Sequence, residues 1–135
     1  MKTELRRQVS SLANESCEYC RVPQSFDPLP FGMDHIRPQY HHGPAVAANL
    51  ALACFNCNCF KGTNAAGYDP ETDELTPLFN PRTDTWEQHF EWNGPELRGM
   101  TSIGRTTIDV LRINLPERVE LRRLIRELGV FPPSR

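Results

Sequence analysis

The chain has 135 residues, room for one compact domain with one modest core and too few for two large ones. Its formal net charge of −2 is no sign of a nucleic-acid partner, but the charge is unevenly spread: residues 1–22 carry +1, residues 23–97 carry −7 and residues 98–135 carry +4. No apolar run approaches the roughly 18 residues that a membrane span needs. Met1 to Leu12 is charged and amphipathic, unlike a secretory leader, so a soluble cytoplasmic protein is expected.

In chain order, Leu5, Val9 and Leu12 fall on one face of residues 3–14, which predicts a short helix. Cys17 to Cys20 reads as a tight turn, and residues 21–32, with three prolines and a glycine, as loop. Met33 to Ile36 reads as a short strand and Pro38 to Pro44 as loop. Ala45 to Ala53 is apolar, and its periodicity does not decide between helix and strand. A polar stretch after Cys57 ends near Gly62, and residues 63–74 read as turn and loop. Phe79, Trp86, Phe90 and Trp92 give Leu75 to Trp92 the spacing of extended segments, and Asn93-Gly94-Pro95 marks a turn. Trp86 and Trp92 suit a core better than a base-stacking surface.

The last third reads as helical. Thr101 or Ser102 caps a helix carrying Ile103, Val110 and Leu111. Asn114 caps a second, with Pro116 in its first turn, Gly129 past its end, and Leu121, Leu124, Ile125 and Leu128 as its buried stripe. Residues 130–135 are expected to fray. The arginines of this basic end (Arg105, Arg112, Arg122, Arg123 and Arg126) suit steering along a phosphate backbone, or simply a solvated helix face.

Five cysteines in so short a chain need an account. A disulfide framework belongs to an oxidising compartment, and an odd number leaves one thiol over, so metal binding is the better reading. C-x-x-C occurs at Cys17/Cys20 and again at Cys54/Cys57. Two such pairs supply four thiolates to a tetrahedral zinc, a closed and therefore structural site. The 33 residues between the pairs leave room for a hairpin. Cys59 is expected to be a free thiol, a register through Cys59 in place of Cys57 being the alternative.

Between the pairs lies Asp34-His35-Ile36-Arg37-Pro38. A carboxylate suits a hard divalent cation, and a neutral imidazole suits a base near pH 7. Neighbouring strand residues point to opposite faces. For Asp34 and His35 to serve one site the strand must end or twist there, which Pro38 favours; taken alone, the pair reads equally as a surface pair of no consequence. The longer order is more specific. Asp34-His35-Ile36-x-Pro38, then Asn49-Leu50, then Cys54-x-x-Cys57-Asn58-x-x-Lys61 resembles the HNH endonuclease family, in the subset with two zinc knuckles, from Cys17 to Gly62. Leu78-Phe79-Asn80-Pro81-Arg82, Trp86 with His89-Phe90, and Gly104-Arg105 with Thr107 are similar, more loosely, to the C-terminal extension of small bacterial and phage HNH proteins.

The resemblance implies an α+β fold, a small ββα-metal (His-Me finger) core stapled by a four-cysteine zinc site, with an extended and helical C-terminal extension. It implies one domain over residues 1–135, with the core at 17–62 and the extension at 75–129. His35 stands at the family's general base, Asp34 at its metal carboxylate, Asn49 at the central asparagine that braces the hairpin loop, and Asn58 at the second metal ligand. Asparagine at this last position is a neutral, weaker ligand than the histidine many members carry. An Asp/Asn oxygen pair favours Mg²⁺ or Mn²⁺ over zinc. So zinc at Cys17, Cys20, Cys54 and Cys57 would hold the fold, and Mg²⁺ or Mn²⁺ at Asp34 and Asn58 would serve phosphodiester hydrolysis. Lys61, Arg37, His42 and Arg105 are the candidate nucleic-acid contacts, with His41 beside them read as an exposed loop histidine.

The expected partner is DNA, with RNA or branched DNA as alternatives. Nicking or weakly specific cleavage is expected, from a monomer or a weak homodimer in the bacterial cytoplasm, whether the protein is bacterial or phage-encoded. Two other readings compete. A zinc-knuckle module that binds nucleic acid without cutting it explains the cysteines and arginines but leaves Asp34, His35, Asn49 and Asn58 in order by accident. A structural or interaction protein on a nuclease-like fold would form a stable complex and show no cation-dependent activity.

Overall fold

The computed structural model describes residues 3–133. Helix α1 (Thr3–Leu12) buries Val9 and packs Leu5 against the core, whereas Leu12 is exposed. The expected apolar face is therefore shorter, because the helix ends at Leu12 and Ala13 closes the contact instead. The expectation for the extreme N-terminus falls partly on Met1 and Lys2, outside the described residues.

Three antiparallel hairpins follow. β1 (Gly32–His35) pairs with β2 (Leu50–Ala53), in a register that sets Asp34 opposite Ala51 and His35 opposite Leu50. The ambiguous segment before Cys54 thus splits into a 3₁₀ turn at Ala47–Asn49 and a fully buried strand. Small and branched side chains allow it: Leu50, Ala51, Leu52 and Ala53 are covered on both faces, so the strand carries no alternation to read. Helix α2 (Phe55–Lys61) starts at Cys54 and returns across β1, completing a ββα unit.

The second hairpin joins β3 (Ala66–Tyr68) to β4 (Leu75–Pro77), where the sequence suggests only turn and loop in the first strand. Asp69 organises its turn: its carboxylate accepts the Glu71 N–H, and its carbonyl accepts the Asp73 N–H. The stretch expected to be extended is interrupted by helix α3 (Trp86–His89) before β5 (Phe90–Asn93) pairs with β6 (Glu96–Gly99) around Asn93-Gly94-Pro95. Trp86, Phe90, Phe79 and Trp92 form one aromatic cluster, so the tryptophans are core and not a stacking surface. Phe131 packs edge-on against Trp92 and is buried, which corrects the frayed tail: a large aromatic ring gains more from cover than the chain end loses by being held. Ser134 and Arg135 lie outside the described residues.

Helix α4 (Ser102–Leu111) is capped by Thr101, whose hydroxyl accepts the Gly104 N–H. Gly104 is needed for close packing, since a Cβ there would stand 2.1 Å from the His89 carbonyl oxygen. Helix α5 (Pro116–Glu127) starts one residue later than expected, after Leu115. Asn114 is not its cap; its side chain instead bonds both backbone groups of Leu97 and so ties α5 to β6. The buried face of α5 is also rotated. Ile125 and Arg122 are buried and Leu121 packs against the core, while Leu124 and Leu128 face solvent.

Arg122 is fully buried and donates to the carbonyls of Pro95 and Ile113 and to Asn114 Oδ1, which removes it from the candidate phosphate contacts. None of these acceptors is a carboxylate. Burial pulls its guanidinium below the usual arginine range, and the nearby Cys20 acts in the opposite sense. Replacing it by methionine strands the carbonyls of Pro95 and Ile113, while Asn114 Oδ1 keeps the Leu97 N–H; at about 1–3 kcal/mol for the worse placed carbonyl we expect Arg122→Met to lower unfolding stability by about 2–4 kcal/mol. Urea denaturation of the metal-loaded protein measures it. An unchanged midpoint and slope would show that the acceptors find water.

The observed architecture is α+β, and the buried cluster runs from Val9 through the ββα unit to Phe131. No helix among the described residues is long and apolar enough to cross a membrane.

Candidate metal centre and active-site hollow

The first knuckle is a tight turn. The Cys17 N–H donates to the Val22 carbonyl, the Arg21 N–H donates to the Cys17 carbonyl, and Arg21 takes a left-handed φ of 69°. The second knuckle is the start of α2, where Cys54 Sγ accepts the Cys57 N–H at 3.3 Å. The fold brings the two together: Cys17, Cys20, Cys54 and Cys57 are buried, with their sulfurs all within 4.8 Å of one another. Tetrahedral thiolates with bonds of about 2.3 Å lie about 3.8 Å apart, and Cys20 and Cys54 stand at 3.7 Å. The four cysteines can therefore hold a metal ion. Cys59 is exposed and outside the cluster, so the alternative register is not adopted. Hydrogen bonds from Cys17, Cys54 and Cys57 hold the Cys20 thiol well below its usual range, while thiol neighbours and burial push Cys57 up. Arg118, ion-paired to Asp27 at 2.8 Å, adds positive charge near Cys20 and Cys54.

β1 ends at His35, as one shared site for Asp34 and His35 requires. Asp34, His35 and Asn58 line one open hollow of about 480 Å³, with Met33, Gly62 and Tyr40 around them. Asn58 lies close over β1, within 2.8 Å of where a Cβ on Gly32 would be. His35 Nε2 is buried with no hydrogen-bond partner among the described residues. Unpaired buried polar atoms are few in native proteins, and each calls for an explanation.

The loop from Ile36 to Asn49 is pinned at its base. Asn49 Oδ1 accepts the Arg37 N–H at 2.8 Å, and its Nδ2 donates to the carbonyls of Arg37 and Pro44. Gly43 makes this closure possible, since a Cβ there would fall 1.7 Å from the Arg37 oxygen. We expect Asn49→Ala to cost about 1–3 kcal/mol locally, seen as faster amide exchange at Arg37 with the global transition little changed. Undiminished protection at Arg37 would mean that the loop holds without its brace.

Arg37 and His42 are exposed on this loop, Arg37 donating through Nε to the His41 carbonyl. Two other candidate contacts are placed differently from expectation. Lys61 is 1% exposed: its Nζ stands 3.0 Å from Asp34 Oδ1 and 3.1 Å from the His35 carbonyl, so it neutralises the carboxylate and does not meet solvent phosphate. Arg105 is held by Asp69 at 2.8 Å and by Glu71 at 3.2 Å, away from the hollow; that pairing holds Asp69 well below the usual carboxylate range. Arg123 is likewise paired with Glu120 and Glu127. Burial raises the Asp34 carboxyl from its ordinary value, opposed first by the Lys61 charge and then by a hydrogen bond from Tyr19.

Two residues near the site make contacts that the sequence does not announce. Tyr19 donates its hydroxyl to Asp34 Oδ2 at 2.6 Å. Arg82 forms a fork on Glu18 at 2.7 Å and also donates to the Leu50 carbonyl, fastening the first knuckle to β2. Both contacts join distant segments, and no local pattern announces them.

The chain is 26% identical over 126 residues to the Septu protein PtuB of Bacillus thuringiensis, a match covering 92% of this chain and 46% of that protein. The chain thus spans about half the length of this curated relative. No solved structure matches. The HNH endonuclease family matches residues 17–63, the segment that holds both knuckles, the β1–β2 hairpin and α2. The paired knuckles, the hairpin and the following helix all lie in the segment, residues 17–63, that matches the HNH endonuclease family.

Proposed function

We propose that this protein hydrolyses phosphodiester bonds of nucleic acid, DNA in the first instance, with His35 as general base. The observation that carries this reading is the convergence of Asp34, His35 and Asn58 on one open hollow within the HNH segment. A neutral imidazole offers one acceptor nitrogen, which would take the proton of the attacking water.

Asp34 and Asn58 would hold a Mg²⁺ or Mn²⁺ ion. Their oxygens suit a hard cation, and Asp34 accepts one bond at each oxygen, which leaves lone pairs on both. When bound, such an ion neutralises charge on the phosphate and the leaving oxygen. Arg37 and His42, exposed on the loop after His35, orient the substrate phosphate. Asn49 keeps that loop closed against the end of β1. Zinc is the ion we assign to the four thiolates, where soft donors and a closed tetrahedron favour it.

A single set of Asp34, His35 and Asn58 among the described residues fits single-strand nicking. Supercoiled plasmid incubated with folded, metal-loaded protein should convert to the nicked form in Mg²⁺ or Mn²⁺ and not in EDTA. Absence of conversion of plasmid, RNA and branched DNA with every cation would overturn the reading.

A further inference from the structure

We infer that Tyr19 is a positioning residue for Asp34, through which the thiolate cluster sets the geometry of the hollow. The inference rests on the reading of Asp34 as a ligand of a divalent cation, and it adds a residue and a coupling to that reading.

Tyr19 occupies the two-residue spacer of the first knuckle, directly before Cys20. A spacer residue in a tight turn would ordinarily face solvent, yet Tyr19 is fully buried. Its backbone carbonyl is fixed by the Trp86 indole N–H at 3.0 Å, and its ring packs edge-on against Phe79. Held at both ends, it delivers its hydroxyl to Asp34 Oδ2 at 2.6 Å, the short distance expected for an O–H donor on a carboxylate. Lys61 occupies the other oxygen, so the carboxylate is clamped from two sides: by the knuckle through Tyr19 and by α2 through Lys61.

The other spacer residue works in the same direction. The Glu18 N–H donates to the Leu52 carbonyl, and the Glu18 carboxylate accepts the Leu52 N–H at 2.8 Å. Leu52 pairs with Met33, the neighbour of Asp34. The spacer thus grips both strands of the hairpin, β2 through Glu18 and β1 through Tyr19. A metal on the four sulfurs holds the first knuckle against the start of α2 and, by way of these contacts, holds Asp34 in register with Asn58. Groups that orient a metal ligand from behind commonly account for about 10–100-fold of metal affinity.

Tyr19→Phe tests this, since it keeps the ring and deletes only the donor. The readout is binding of Mn²⁺ by the protein with its thiolate metal loaded, followed as loss of the free-ion EPR signal. Val9→Ala, in the buried face of α1, serves as a variant destabilised without touching the hollow. The expected result is Mn²⁺ affinity about tenfold weaker in Tyr19→Phe, with unchanged thiolate-metal content, while Val9→Ala binds Mn²⁺ as the wild type does. Equal affinity of Tyr19→Phe and wild type would overturn the inference and leave Tyr19 a packing residue. Wild-type Mn²⁺ binding that survives Asp34→Asn would overturn the reading of Asp34, and the inference with it, as would a wild type that binds no Mn²⁺.

Discussion

Stripping the metal from the four thiolates with a strong chelator should abolish the cooperative thermal transition and most of the helical circular dichroism, and restoring the ion should bring both back. Cys17 and Cys20 follow α1, while Cys54 begins α2, so the cluster joins segments far apart in sequence at the centre of the buried core. Without the ion these are four buried thiols in mutual contact, of which Cys20 is the one whose ionisation its neighbours favour. Structural zinc sites contribute on the order of 10–16 kcal/mol in small peptides, against about 5–15 kcal/mol for the whole stability of a domain. The expected effect is loss of the folded state and not a modest shift. A chelated protein, verified metal-free, that melts at its original temperature would show that the core stands without the staple.

His35→Ala should lower plasmid nicking by about 10²–10⁴-fold, the usual contribution of a positioned general base, while the thermal midpoint moves little. Both halves of this expectation come from the same geometry. His35 is the last residue of β1, and its Nε2 makes no hydrogen bond among the described residues, so truncation strands no partner at that atom. Its backbone carbonyl, which receives Lys61 Nζ, is retained in the variant. Cation binding should also persist, because Asp34 and Asn58 are untouched. The assay is therefore run at saturating Mn²⁺ beside the wild type, with both proteins shown to be folded. Residual activity near the wild-type level would remove His35 from the base role and shift attention to His41 and His42 on the adjacent loop, both of them exposed.

The helical parts are legible where the pattern is local: the Thr101 cap, the Pro116 start and the existence of α1 all appear close to where periodicity and capping place them. The departures share one cause. Asparagine caps helices, which points to Asn114 as a cap, but its amide is better satisfied by two backbone groups of Leu97 that only the fold supplies. Leu124 and Leu128 fit the helical stripe by spacing, yet the face of α5 that meets the core carries Arg122, whose charge and size no apolar pattern would select. Strand β3 is silent in the sequence because Ala66, Gly67 and Tyr68 carry little β-pattern; their partner β4 and helix α4 stabilise them.

Legible in the chain alone are the chemistry and the order of its parts: two C-x-x-C pairs, an Asp-His dipeptide between them, and asparagines at two later positions, within a segment that matches the HNH endonuclease family. Spacing conveys this because ligand type and short-range turn geometry are local properties. How each charge is used follows only from long-range packing. Lys61, by sequence a phosphate contact, is buried on Asp34; Arg105 is taken up by Asp69; Tyr19, a spacer residue, reaches Asp34 across 15 residues of chain. A buried charge or hydroxyl must find its partner wherever packing brings one, and the long-range contacts that decide it leave no periodicity in the chain.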